Sequence, residues 1–247
     1  MTRLVLALVC LIALAGRAEA NNTISTAQQL SLGEKRSQVL TTHEVAYFGV
    51  SMSQNRSYAA FCWLPTFESQ VAFSGFCAVE IRDFNDVNVG AGTLGEGFPK
   101  GGLGSTFTST TDNAGFIRIV NQAASTQTAT VIVLDTTLAS PWYFVSPGGG
   151  YDAYVEVRNH STSFVSTTIR AYAASGTLAG STTVSLPANG NTVVTVSSLG
   201  VSTGSGSVTI THNALPGSIV ANTTTLSVTT GLSFDSPFAP RMVWSIF

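Results

Sequence analysis

Three kinds of residue in this chain could do chemistry, and the cysteines constrain it most. Cys62 and Cys77 lie in FCWLPTFESQVAFSGFC, residues 61–77, and only three histidines, His43, His160 and His212, are scattered elsewhere. A structural zinc site needs four ligands, commonly cysteines in close pairs, so two cysteines and dispersed histidines fit a metal poorly. A nucleophilic cysteine needs an activating neighbour and survives badly unpaired in an oxidising compartment. Two cysteines on apparent strands satisfy each other, and the sequence therefore predicts a Cys62–Cys77 disulfide. It also limits the topology: bridged Cα atoms lie within about 7 Å, whereas strands two places apart in a sheet are farther than that. If Ser74-Gly75 turns QVAF back onto FCAV, the strand YAAFCW lies on the free flank of Cys77 or faces it across a core.

The other constellations are weaker. GAGTLG, residues 90–95, matches the dinucleotide fingerprint in letters, but EGFPKGGLG follows it where a helix is required, so a surface loop is the expectation. The chain has no G-x-S-x-G elbow, and His160 and His212 sit in Asn159-His160-Ser161 and Thr211-His212-Asn213, which read as solvated turns. A glycosidase needs two carboxylates about 5 to 10 Å apart. The candidates Glu44, Glu68 and Glu96 fall on strand starts or loops, and alternation turns Glu80 and Glu156 outward. DFNDVN, the Asp83 to Asn88 loop, clusters oxygen ligands that calcium could use, without the EF-hand glycine and distal glutamate. Trp63, Phe67, Trp142, Tyr143, Tyr151 and Trp244 could build a sugar-stacking platform or could be packing. No catalytic residue, cofactor site or metal site is assigned from these patterns.

Behind these residues stands a chain built for export and for strands. MTRLVLALVCLIALAGRAEA carries an early positive charge, an apolar run from Leu4 to Leu14 and a small-x-small ending, which reads as a signal peptide over residues 1–20 cleaved after Ala20, with Cys10 removed. That run is too short to span a bilayer, which takes about 20 residues, and no transmembrane helix is expected. Removing Arg3, Arg17 and Glu19 from eleven basic and thirteen acidic residues leaves nine and twelve, a formal charge of −3. Without a clustered basic face, nucleic acid is excluded as a partner. With 44% hydrophobic and 10% charged residues, the chain can fill a core, and its many serines and threonines keep the surface polar.

The periodicity is almost everywhere two, the mark of half-buried strands. YDAYVEVRN turns Ala153, Val155 and Val157 inward, TIRAY continues with Ile169 and Ala171, and FCAVEIR does the same with Cys77, Val79 and Ile81. TATVIVL, residues 128–134, is continuously apolar and reads as a central strand. A helical turn is expected only in STAQQL, capped by Ser25 or Thr26. In LPANGNTVVTV, Asn189-Gly190 is expected to reverse the chain as a hairpin between TTVSL and TVVTV. LASPWYFVSPGGGY, with two prolines and three consecutive glycines, breaks the pattern. No strict internal repeat is evident. The expected fold is all-β: two tandem antiparallel β-sandwich domains, jelly-roll-like then immunoglobulin-like, at residues 21–138 and 151–247 with a linker at 139–150.

NNTISTAQQLSLG, VAYFGVSM, GFIRIVNQ and TATVIVL together resemble the bacterial pre-peptidase C-terminal (PPC-like) β-sandwich domain, over roughly residues 22–136. Residues 151–235, with YVEVRN and SLPANGNTVVTV, resemble immunoglobulin- or fibronectin-type modules of uncharacterised secreted bacterial proteins. The resemblances imply surface or extracellular placement and no known chemistry, and the expected location is secreted, extracellular or periplasmic, with association to the cell surface. The sequence thus leads to a secreted, non-catalytic binding, adhesion or assembly protein whose partner is an extracellular protein or glycan. The alternatives are a carbohydrate-binding protein, a small secreted hydrolase, and an outer-membrane barrel suggested by the RMVWSIF ending. N-x-S/T sites begin at Asn21, Asn55, Asn159 and Asn222.

Overall fold

The computed structural model describes residues 21–63, 77–94 and 103–241. The expected leader with Ala20, the expected Ser74-Gly75 turn, Glu68, Glu96, Phe67 and Trp244 lie outside these residues. Alternating sequence becomes alternating burial, and the strands fall into four open sheets that pair into two sandwiches.

The first sandwich contains β1 (Gln28–Gln29), β2 (Arg36–Leu40), β3 (Val45–Met52), β4 (Arg56–Trp63), β5 (Cys77–Arg82), β6 (Ala91–Leu94), β7 (Leu103–Ser109), β8 (Asn113–Asn121) and β9 (Gln127–Asp135). One sheet runs β1-β3-β8-β5 and the other β2-β9-β4-β7-β6, antiparallel throughout except that β1 runs parallel to β3. Phe48, Val50, Ile117 and Ile119 meet Tyr58, Val131 and Val133 between the sheets. The expected helical turn is a 3-10 turn over Ile24–Thr26 capped by Thr23, a little upstream of the anticipated cap. Most of the fingerprint-like GAGTLG is no loop: Ala91–Leu94 is an edge strand paired with β7.

The second sandwich contains β10 (Leu138–Val145), β11 (Tyr151–Asn159), β12 (Val165–Ala173), β13 (Leu178–Leu186), β14 (Asn191–Thr195), β15 (Gly204–His212), β16 (Ile219–Ser227), β17 (Ser233–Pro237) and β18 (Ala239–Pro240). Its sheets run β13-β12-β15-β10-β18 and β14-β11-β16-β17. The expected linker at 139–150 is instead mostly β10, an interior strand of the second sandwich, followed by a 3-10 turn. Pro141 is accommodated because the β10–β15 register slips between Ser140 and Tyr143, where the missing N–H breaks no ladder bond.

The two sandwiches share one neighbour plan entered at different points of the chain. The row β2-β9-β4-β7-β6 corresponds to β13-β12-β15-β10-β18, and β3-β8-β5 to β14-β11-β16. Reading the first module in the cyclic order β7, β8, β9, β2, β3, β4, β5, β6 gives the chain order β10 to β16 and then β18 of the second.

This plan corrects the expected hairpin. The strands flanking Asn189-Gly190 lie in different sheets, β13 beside β12 and β14 beside β11. The turn is an arch across the core, matching the β2-to-β3 crossing. Both arches separate their strands equally, with left-handed residues at equivalent places: His43 at φ 60° and Asn189 at φ 55°.

A buried asparagine closes each arch. Asn121 Nδ2 donates to the carbonyls of Leu40 (3.0 Å), Thr41 (3.1 Å) and Ser125 (2.9 Å), while its Oδ1 accepts from Ala123 N–H (2.9 Å). Asn159 repeats the pattern with Leu186 (3.4 Å), Pro187 (2.9 Å), Ser163 (2.8 Å) and Ser161 N–H (2.9 Å). Backbone carbonyls that leave one sheet for the other lose ladder partners, and the amide supplies them.

Candidate functional site

Cys62 lies one residue before the end of β4 and Cys77 begins β5, on opposite sheets, with Cα atoms 5.6 Å apart and a disulfide between them. Of the two geometries the sequence allowed, the cysteines take the one across the core. Both are buried, so the bond is a staple and not a reactive dithiol.

Among the described residues, the carboxylates considered for acid–base chemistry, Glu44, Glu80 and Glu156, each have a partner. Glu80 is clasped by Arg82 and by Arg118 (2.9 Å) on the outer face of β5 and β8. Burial pushes its carboxyl up, but the two guanidinium bonds outweigh this and hold it below the usual range. Glu44 accepts from Thr41 N–H at 2.7 Å, capping the first arch, and Glu156 faces Arg158 at 3.4 Å on the surface. In the Asp83 to Asn88 loop, Asp83 Oδ1 accepts the N–H groups of Asn85 and Val87, both at 2.9 Å. Asp86 accepts from the Tyr47 hydroxyl at 3.1 Å and lies 3.5 Å from Arg82. The oxygens are organised as an Asx turn, with proton donors of their own.

His212 departs most from its expected setting. It is no solvated turn residue but the buried end of β15, enclosed between the two sandwiches. Its backbone N–H donates to Ser57 Oγ (2.9 Å), its Nδ1 accepts from Ala214 N–H (3.3 Å), and its Nε2 lies 3.1 Å from Thr136 O. An acceptor Nδ1 leaves the proton on Nε2, where it is donated to the Thr136 carbonyl. Burial pushes the imidazole down to about 4, so it stays neutral. Beside it, Phe61, Ile132 and Leu134 on the outer faces of β4 and β9 pack with Leu215 of the second sandwich. This second covered face is why TATVIVL is apolar without alternation. His43 and His160 are exposed, as turns require.

The aromatics divide sharply. Tyr143 is buried in the second core, and Trp63 packs beside Phe61. Trp142, 40% exposed, runs parallel to Phe144 at 6.4 Å between ring centroids and meets Phe234, 50% exposed, edge-on at 6.2 Å. Phe144 in turn meets Tyr151 edge-on at 5.6 Å. The four rings form a ridge on rigid strands where β10 passes β16 and β17. Phe144 and Phe234 were not singled out from sequence; the i, i+2 spacing of Trp142 and Phe144 on one strand was the signal that could have found one of them.

Two of the four glycosylation sequons begin at asparagines closed by the fold. The amide of Asn21 is buried and donates to Tyr47 O at 3.1 Å, and that of Asn159 is the plug described above. Asn55 is half-buried, and Asn222 Nδ2 donates to Thr224 Oγ1 (3.1 Å) and Asp235 Oδ1 (3.2 Å).

No family model and no curated protein matches this chain. Among solved structures, a crystal structure of Bacteroides uniformis β-glucuronidase overlaps 81% of this chain and 26% of its own, at 12% identity and a TM-score of 0.22. A calcium-binding mutant of Bacteroides uniformis β-glucuronidase 2 overlaps 79% of this chain and 26% of its own, at 12% identity and a TM-score of 0.20. The chain spans about a quarter of the length of those proteins, and likeness at this level carries nothing about its function.

Proposed function

We propose that the protein is an exported, non-catalytic binding element that works at or outside the envelope through the aromatic ridge of its second sandwich. The observation that carries this reading is the ridge itself: Trp142 and Phe234 stay exposed although each is braced by a second ring. Exposed aromatics held by strands lose little conformational freedom on binding, which favours them at contact surfaces. The proposed contact residues sit on strands.

Supporting a non-catalytic role, the candidate acids among the described residues, Glu44, Glu80 and Glu156, are paired with arginines or backbone, and both ring nitrogens of His212 are engaged. Export draws on the leader and on a disulfide, which persists in oxidising compartments. The resemblances to PPC-like and immunoglobulin- or fibronectin-like modules of secreted bacterial proteins agree with it. Glycans are the second reading, favoured by the exposure of Trp142, since a sugar ring can stack on an indole. The test is retention on arrays of glycans and of extracellular proteins. Retention that vanishes in Trp142→Ala without a change in melting temperature fits the proposal, and turnover abolished at a single His or Glu overturns it.

A further inference from the structure

We infer that a second site, a polar cleft between the two sandwiches, binds a small hydroxylated anion, an acidic sugar being the chemical class that fits. The cleft holds about 340 Å³, large enough for a monosaccharide. Its walls come from both modules: Arg56 on β4, Thr137 between the modules, Tyr172 on β12, Ser207 and Thr209 on β15, and Arg241 beyond β18. It shares no residue with the aromatic ridge and stands independently of that reading.

Three observations point to an anion with hydroxyls. Among the described residues no carboxylate lines the cleft, although the chain as a whole is acidic. The acid behind it, Asp135, is 2% exposed and turned away: Oδ2 accepts from Arg56 Nη1 at 2.9 Å and Oδ1 from Thr137 N–H at 3.0 Å. That pairing uses one guanidinium nitrogen of Arg56 and fixes its orientation, and among the described residues Arg241 has no acidic partner within ion-pair distance. Arg170, opposite Thr209 in the β12–β15 register and bonded to Thr211 Oγ1 at 3.0 Å, adds a third cation to the same sheet face.

The second observation is Thr209 itself. It is 6% exposed, and among the described residues its Oγ1 has no hydrogen-bond partner. Val208 and Ile210 turn into the core, so Thr209 stands with Ser207 on the outer face of the sheet that the cleft borders. A buried hydroxyl without a partner is costly, and a turn of the Thr209 side chain toward the cleft would let a ligand oxygen relieve it. The third is the composition of the wall. Hydroxyls, which both donate and accept, outnumber the guanidiniums; this suits the hydroxyls of a sugar better than a bare oxyanion, which only accepts.

The test is titration of the intact protein with galacturonate, galactose and inorganic sulfate, followed by calorimetry or NMR shifts. Saturable galacturonate binding is expected, weakened by added salt, with galactose and sulfate each at least about tenfold weaker. Arg241→Gln should lower the affinity about tenfold. Thr209→Val should weaken binding severalfold while leaving the melting temperature unchanged or higher, since it removes an unpartnered hydroxyl. Three results would overturn the inference: no saturation by about 10 mM galacturonate, binding indifferent to both substitutions, or sulfate binding as tightly as galacturonate.

Discussion

The two sandwiches solve the same packing problem with different cross-core contacts. In the first, Cys62 pairs with Val131 on β9, and Cys77 pairs with Asn121 on β8. In the second, the equivalent register positions hold Ile210, paired with Ile169, and Ile219, paired with Asn159. One module is stapled by a covalent bond where the other relies on two isoleucines in its apolar core. What they keep in common is the asparagine under the arch. The difference teaches that the cross-link is an addition to the plan, whereas the amide that satisfies the crossing carbonyls belongs to it.

The largest effect should come from breaking what is shared. Asn121→Asp or Asn159→Asp would aim a buried carboxylate at three backbone carbonyls, and each should destabilise its module by about 4 kcal/mol or more in urea melts at neutral pH. Next is what differs. The double substitution Cys62→Ala with Cys77→Ala should cost about 3 kcal/mol, and hydrogen exchange should show the loss of protection in β4 and β5 and not in β15 and β16.

His212, at the junction, gives a pH-dependent term of at most about 3 kcal/mol. Its folded value of about 4 lies below the unfolded value near 6.5. The unfolded chain therefore binds the proton first as pH falls. The stabilisation is complete above pH 6.5 and disappears as pH drops from there to about 4. His212→Asn should flatten the melting-temperature profile in that window.

A smaller effect sharpens the equivalence of the modules. Ile210→Cys with Ile219→Cys should oxidise spontaneously to a cross-link that stabilises the second module by about 2 kcal/mol. Two thiols that remain titratable in the folded protein would show that the register correspondence does not extend to distance.

The sequence was most informative where one residue type has one physical outcome. Alternation in YDAYVEVRN and CAVEIR maps directly onto burial, since a strand's side chains take opposite faces. The disulfide was legible because two strand cysteines leave few other options, although only the structure shows that it crosses the core. Asn189-Gly190 misled because a left-handed turn residue permits either a hairpin or an arch; the choice is made by which strands claim β13 and β14. His212 misled because a short polar triplet looks solvated until a second module covers it. The repeat was hidden because the second module enters the common plan at the equivalent of β7, so no stretch of sequence recurs in order. The aromatic ridge joins residues about ninety positions apart, and only Trp142 and Tyr151 of its four rings were candidates beforehand.

Placing the contact surface on the unstapled module leads to one decisive measurement: retention of the intact chain on an immobilised ligand from the array, comparing oxidised protein, protein reduced under native conditions, Trp142→Ala and Phe234→Ala. Reduction should leave retention intact, because the cross-link holds only the first sandwich, and either ring deletion should abolish it with melting unchanged. Retention that is lost on reduction and indifferent to Trp142 and Phe234 would place the contact surface on the other module and contradict the account.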